Sequence, residues 1–322
     1  DYNLNIPRYV DSSEKAESFD IYASMFGGIP NSEINEYSKY WNAFPSLKNQ
    51  LFESINRDFS ASKVDDIKKV ILENDDVKSF IEEYNHSFGD FDKYLEKELI
   101  ENYDSVNISK EESVIAEEIF NRVSQLNLLD KYNAYQLLDD IWGKIAIDLE
   151  IIKTEGFEAT KQVDPNMVTK KKDGKDIEVQ EGWLGHVIPF ELIQKEKLSD
   201  KLAALNATSH RLEDITTLYS ETLEELTEDE KEEISELLSE EKDSFVNTEV
   251  TKYVKKLKGQ KFDAESIESR MIVISKAIDE EKDLKKKVKT KESELEVASK
   301  KAIEALTDQE VLDLLKKKWI NP

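Results

Sequence analysis

From residue 198 to residue 322 the chain carries one glycine, Gly259, and no proline before its last residue, Pro322. Glycine and proline are the residues that most often end a helix, so a stretch this poor in them favours long helices. Its apolar residues support that reading. Leu198, Leu202, Leu205, Leu212, Tyr219, Leu223 and Leu226 follow one another at steps of three, four or seven, which aligns them along one side of a helix. Ser209 and Thr216 are polar gaps in this seam. A second seam starts with Met271, Ile274 and Ile278, passes Val288 and Leu295, and ends near Ile303 and Leu306, with gaps at Lys285 and Glu292. Between the seams lie an acidic block, Glu221 to Glu241, and then Phe245 to Phe262 around Gly259. Two long helices folded back antiparallel, joined by a helical tip near 228–262, would bury both seams. The alternative is one continuous helix seeking another chain. The break near Gly259 and the two separate seams favour the hairpin.

Residues 19–197 have a different texture. Apolar and aromatic side chains recur at helical spacing in the groups Ile34, Tyr37, Trp41; Leu47, Leu51, Ile55; Ile67, Val70, Ile71; and Phe80, Ile81, Tyr84. Asn31-Ser32-Glu33 after Pro30 and Pro45-Ser46 resemble helix starts, and Ser109 with Glu112 matches a capping box. Asn133 to Ile152 is the most continuous apolar helix, and three of the four tryptophans fall in 19–197, which places the main core here. Near its end the period changes to two. Met167–Lys172 and Asp176–Gln180 flank Asp173-Gly174, a favourable pair for a tight turn. The expected fold is mainly α. An extended tail (1–18) leads into a helical domain (19–197) with a small β-hairpin near 167–180. A long antiparallel coiled-coil arm (198–322) follows.

Charged residues make up 36% of the 322 residues, against about 25% in typical domains, as exposed helices require. The net charge of −25, from 70 acidic and 45 basic residues, repels a duplex of phosphates on average. Lys170-Lys171-Lys172, Lys285-Lys286-Lys287 and Lys316-Lys317-Lys318 are local exceptions, best read as solvated surface. The chain lacks cysteine, which excludes disulfides and thiolate chemistry and fits the cytoplasm. It lacks a run of about 18 apolar residues, so no membrane helix is expected. A start at Asp1 without a signal peptide suggests a piece of something longer.

No active site emerges. Gly27-Gly28 is not followed by the Lys-Ser/Thr pair that a phosphate loop needs, so it reads as a turn. His86, His186 and His210 are too far apart for a helical metal pair. The doublets Asp65-Asp66, Asp75-Asp76 and Asp139-Asp140 put adjacent carboxylates about 100° apart on a helix, and no Gly-x-Ser-x-Gly turn is present. No catalytic, cofactor-binding or metal-binding residue is assigned.

One stretch is familiar. Asn3-Leu4-Asn5-Ile6-Pro7-Arg8-Tyr9-Val10-Asp11 resembles a signature of the modification (M) subunit of type I restriction-modification systems, where it follows the DNA-methyltransferase domain. The similarity continues in order through Phe19-Asp20-Ile21, Gly28-Ile29-Pro30, and Tyr40-Trp41-Asn42-Ala43-Phe44-Pro45-Ser46-Leu47. It then takes in Tyr135-Gln136-Leu137-Leu138, Ile141-Trp142, Asp148, Gly182-Trp183-Leu184, Val187-Ile188-Pro189 and Lys318-Trp319-Ile320. The resemblance spans essentially the whole chain, against the C-terminal part of longer M subunits. The sequence departs from it at Asp139-Asp140-Ile141-Trp142-Gly143-Lys144, where a tyrosine would precede the tryptophan.

The resemblance implies S-adenosylmethionine-dependent methylation of adenine in DNA, at a site chosen by a specificity (S) subunit. The Asn-Pro-Pro-Tyr/Phe motif and glycine loop for that reaction are absent from this sequence. The implied role is therefore non-catalytic: assembly with the S subunit and the rest of the M subunit, with DNA held only within the complex. The expected partner positions are Leu198, Leu202, Leu205, Leu212, Leu223, Ile274, Ile278 and Leu295. Two alternatives stand beside this reading, a free-standing helical or coiled-coil scaffold and a hydrolase built from scattered acids.

Overall fold

A computed structural model describes residues 20–172 and 175–321. The signature Asn3–Asp11, the tail 1–18 and the turn pair Asp173-Gly174 lie outside the described residues. The protein is mainly helical, with two small antiparallel sheets. It divides into two compact units, Asp1–Gly143 and Lys144–Pro322. The division falls inside one helix, and the change of texture near residue 198 lies within the second unit.

The first unit opens with α1 (Ile21–Phe26), β1 (Ile29–Pro30), α2 (Asn31–Glu36), α3 (Ser38–Ala43) and α4 (Leu47–Leu51). Asp20 caps α1 by accepting from Ala23 N–H, and Gly27 ends it at φ 79°, so Gly27-Gly28 is the expected turn. β2 (Phe52–Ser54) and β3 (Phe59–Ser62) follow, giving an antiparallel sheet of order β1-β3-β2. This sheet corrects the helical grouping of Leu47, Leu51 and Ile55. The Asn56 side chain accepts from the backbone N–H groups of Asp58 and Phe59 at 2.9 Å each, closing a turn that leaves Ile55 exposed.

α5 (Ile67–Glu73), α6 (Asp75–Phe88), α7 (Phe91–Leu95), a π-helical turn (Glu96–Glu101), α8 (Ile108–Val123) and α9 (Lys131–Glu155) complete the run. Phe44, Leu47, Leu51 and Val77 form one core cluster, with Trp41, Phe52 and Phe80 against it. The capping box expected at Ser109 is absent: α8 starts at Ile108 after Asn107, so Ser109 lies inside the helix. Glu112 instead accepts from the Tyr135 hydroxyl at 2.8 Å. Of the aspartate doublets, Asp66 caps α5 and Asp76 accepts from Ser46.

In the second unit, Gly156 at φ 90° breaks the chain from α9 into a 3-10 turn (Phe157–Lys161). β4 (Val163–Lys172) and β5 (Lys175–Gly185) then pair antiparallel from Val163↔Gly185 to Lys172↔Lys175. This is the expected hairpin, longer at its base than 167–180. At φ 78° Gly182 lets the Glu296 carboxylate occupy the space of a missing Cβ, so that Glu296 accepts from Trp183 N–H at 2.7 Å. Lys300 covers the Trp183 ring, 3.2 Å from its centroid.

α10 (Phe190–Lys197), α11 (Ser199–Glu225), α12 (Glu228–Glu233), a 3-10 turn (Ser235–Leu237), α13 (Asn247–Lys256), α14 (Ile267–Glu304) and α15 (Asp308–Trp319) make up the rest. Thr227 with Glu230 and Thr307 with Glu310 form capping boxes at the starts of α12 and α15. Large, fully buried side chains occur in both units, Leu51, Leu99 and Ile115 in the first and Leu149, Ile193, Met271 and Leu315 in the second. Leu149 and Ile193 lie within the tryptophan-rich stretch 19–197, and Met271 and Leu315 extend the buried interior beyond it. No helix among the described residues is long and apolar enough to cross a membrane.

Candidate functional site

The longest helices of the second unit, α11 and α14, pack against each other. The start of α11 meets the later part of α14 at Lys291, and its end, at Leu223, clusters with Met271 and Ile274 at the start of α14. Lys291 Nζ donates to the Ala204 carbonyl and to Thr208 Oγ1 at 2.7 Å each. Arg211 lays a two-pronged fork on Glu280, at 2.8 Å for each prong. The Tyr219 hydroxyl donates to Glu281 at 2.9 Å. Burial, the hydrogen bond and the negative charge of Glu281 push the Tyr219 hydroxyl well above the usual phenol range.

The buried line differs from the expected seam by one residue. On α11 it is Thr208, Ile215, Thr222 and Leu223 that are buried, whereas Thr216 is exposed and Ser209 half-buried. On α14, Lys285 and Glu292 are exposed, and the polar groups that reach into the contact are Glu281 and Lys291. Threonine is tolerated there because its hydroxyl can bond its own helix. Thr208 donates to the Ala204 carbonyl at 2.8 Å and Thr222 to the Leu218 carbonyl at 2.7 Å. The heptad spacing of Thr208, Ile215 and Thr222 is the signal in the sequence for this line, masked by two of the three residues being polar.

The eight expected partner positions fall into two groups. Leu223, Ile274 and Ile278 belong to a core cluster with Leu226, Ile234, Leu237, Val250 and Met271, and Leu295 is also buried. These four are consumed by folding. Leu198, Leu202, Leu205 and Leu212 are half-buried and keep some apolar surface in solvent, Leu212 while also packing against Ile215, Ala277 and Leu284. Val288 on α14 is half-buried as well.

Distant residues converge at the base of the unit. Asp148, buried, accepts from Lys318 Nζ at 2.5 Å and from the Trp319 indole N–H at 2.8 Å, while Lys318 also donates to the Val187 carbonyl at 2.7 Å. His186 lies between Asp164 (Nδ1, 2.6 Å) and Glu155 (Nε2, 3.1 Å). The hydrogen bond to Asp164 raises the His186 pKa; burial opposes that and the two carboxylate charges add to it. No local pattern marks this cluster, since its members lie 22 and 31 positions from the histidine.

In the first unit, Glu111 is buried with one carboxylate oxygen lacking a hydrogen-bond partner. Burial, and then the charge of Glu98, raise its pKa. Arg122 is held by Asp90 (2.5 Å), Glu118 (2.7 Å) and the Ser87 carbonyl, and lies over the Phe91 ring. These are arrangements that hold elements together. Among the described residues no group of three or more His, Cys, Asp or Glu side chains could hold a metal ion. Every strand pair among the described residues is antiparallel.

Members of all three lysine clusters are engaged within the chain. Lys170 pairs with Glu181, Lys285 with Glu281, and Lys317 with Glu196. No protein-family model, curated protein or solved structure matches the chain.

Proposed function

We propose that this chain is the non-catalytic C-terminal region of a type I restriction-modification M subunit, and that α11 with α14 forms an antiparallel coiled-coil arm that docks the S subunit. The observation that carries the reading is the row Leu198, Leu202, Leu205 and Leu212, left half-buried beside a helix pair in which Leu223, Ile274, Ile278 and Leu295 are buried. In this pair the leucine row stays partly open, and a helix from a partner would complete such a stripe. On this reading S-adenosylmethionine binding and methyl transfer belong to residues outside this sequence, and DNA is held only once the subunits are assembled. The sequence order of the resemblance supports the family, and the convergence of Asp148, Val187, Lys318 and Trp319 gives several of its motif residues one shared structural task.

The test is co-purification of the chain with the S subunit of its own system. A stable complex that is lost when Leu205 and Leu212 are both replaced by glutamate is the expected result. An S subunit that ignores the wild-type chain overturns the reading. Methyl transfer by the chain alone would overturn its non-catalytic part.

A further inference from the structure

We propose that Lys291 selects the partner helix, by requiring an acidic residue opposite it in the leucine stripe. The inference rests on the docking role proposed above for α11 and α14. Lys291 occupies the stretch of α14 between Val288 and Leu295, where the partner face of an amphipathic helix would carry an apolar residue. Its ammonium is part-buried and gives two of its three donors to neutral oxygens, the Ala204 carbonyl and Thr208 Oγ1. Among the described residues no carboxylate lies within ion-pair distance of it. The contrast along the same two helices is sharp: Arg211 has Glu280, and Lys285 has Glu281. The sequence has 70 acidic residues against 45 basic ones, yet none of the described carboxylates pairs with this cation.

A partly desolvated cation held only by neutral acceptors is under-compensated, and its third donor is unspent. Leu202, Leu205 and Leu212 flank it on α11 as half-buried apolar surface. The occupant that suits both features is an amphipathic helix with aliphatic residues at its core positions and one glutamate or aspartate among them, at the height of Thr208 and Lys291. A single charged core position of this kind fixes register and discriminates between partners. A helix presenting lysine there would meet like charge, and one presenting leucine would leave the ammonium held by neutral oxygens alone.

The experiment uses the full chain as wild type, Lys291→Met, Lys291→Arg and Lys291→Glu, with two probes. The first is the S subunit of the same system. The second is a set of synthetic leucine-heptad peptides identical except for Glu, Gln or Lys at one core position. Wild-type chain should prefer the Glu peptide over the Lys peptide by at least about tenfold, and Lys291→Glu should reverse that order. Lys291→Arg should keep the wild-type order, and Lys291→Met should abolish the preference. For the S subunit, Lys291→Glu should weaken binding by at least about tenfold, and one acid-to-lysine reversal in its helices should restore it. Peptides bound with equal affinity, or an unreversed order, overturn the proposal even where Lys291→Met loosens the helix pair, because a purely structural lysine cannot invert a charge preference. An S subunit that binds wild type and Lys291→Glu equally overturns the selection and leaves the docking role standing. An S subunit that fails to bind wild type removes the docking role, and the peptide order then decides Lys291 independently.

Discussion

Two carboxyl groups have their titration shifted in opposite directions, and stability should respond to each with opposite sign. Burial, and then the charge of Glu98, raise the pKa of Glu111. A group whose folded pKa is raised contributes stability at low pH and loses it as pH climbs through the folded value. Glu111→Gln removes that loss, so the variant should match or exceed wild type at neutral pH, with a flatter profile above the normal carboxylate range, measured by urea unfolding across pH. A greater stability loss at neutral pH than in acid would refute this. Glu310 lies on the other side. Lys197 and the N–H and hydroxyl of Thr307 lower its pKa from 4.5 to about 2. Its contribution is therefore present above 4.5 and fades as pH falls through the folded value. Removing the Thr307 hydroxyl should cost about 1 kcal/mol, as lost N-caps do, and Glu310→Gln should erase the acid-side decline.

At the scale of the element, the helix pair separates residues that fold the chain from residues that remain for a partner. Ile215 is almost fully buried and packs with Ala277 and Leu284. Ile215→Ala should cost about 2–5 kcal/mol in the free chain. Leu205→Ala and Leu212→Ala should cost less there, since both are already half in solvent, and should show their main effect on S-subunit binding. Equal destabilisation by all three variants in the free chain would place the leucine row in the chain's own core. The hairpin illustrates a different balance. Alternation and the Asp173-Gly174 pair identified it, yet its base extends to Val163 and Gly185. A two-stranded ribbon is marginal alone, and the anchor of Trp183 on Glu296 and Lys300 supplies what local sequence cannot.

Over the whole molecule, a net charge of −25 governs encounters with polyanions. The full chain should bind plain duplex DNA weakly, with an affinity that falls steeply with added salt. Lysines drawn from all three clusters already face carboxylates, so charge reversal at Lys285 to Lys287 should change that affinity little. Tight binding in moderate salt, followed by fluorescence anisotropy, would contradict this.

The helices, the hairpin and the break at Gly259 were legible in the sequence, because periodicity and turn chemistry act over a few residues. The three-stranded sheet was not, since Phe52–Ser54 and Phe59–Ser62 are too short to show alternation and pair only once the Asn56 turn brings them together. The seam was legible to within one residue. On a helix, Leu205, Thr208, Leu212 and Ile215 follow steps of three, four and three, and the neighbour determines which of them are most deeply buried. Tertiary packing made that choice by bringing α14 against Thr208, Ile215 and Thr222, whose hydroxyls are satisfied by their own helix. It also assembled Asp148 with Lys318 and His186 with Asp164 and Glu155. No local signal can encode such meetings, because the attraction between those charges acts only after the chain has brought them within a few ångströms.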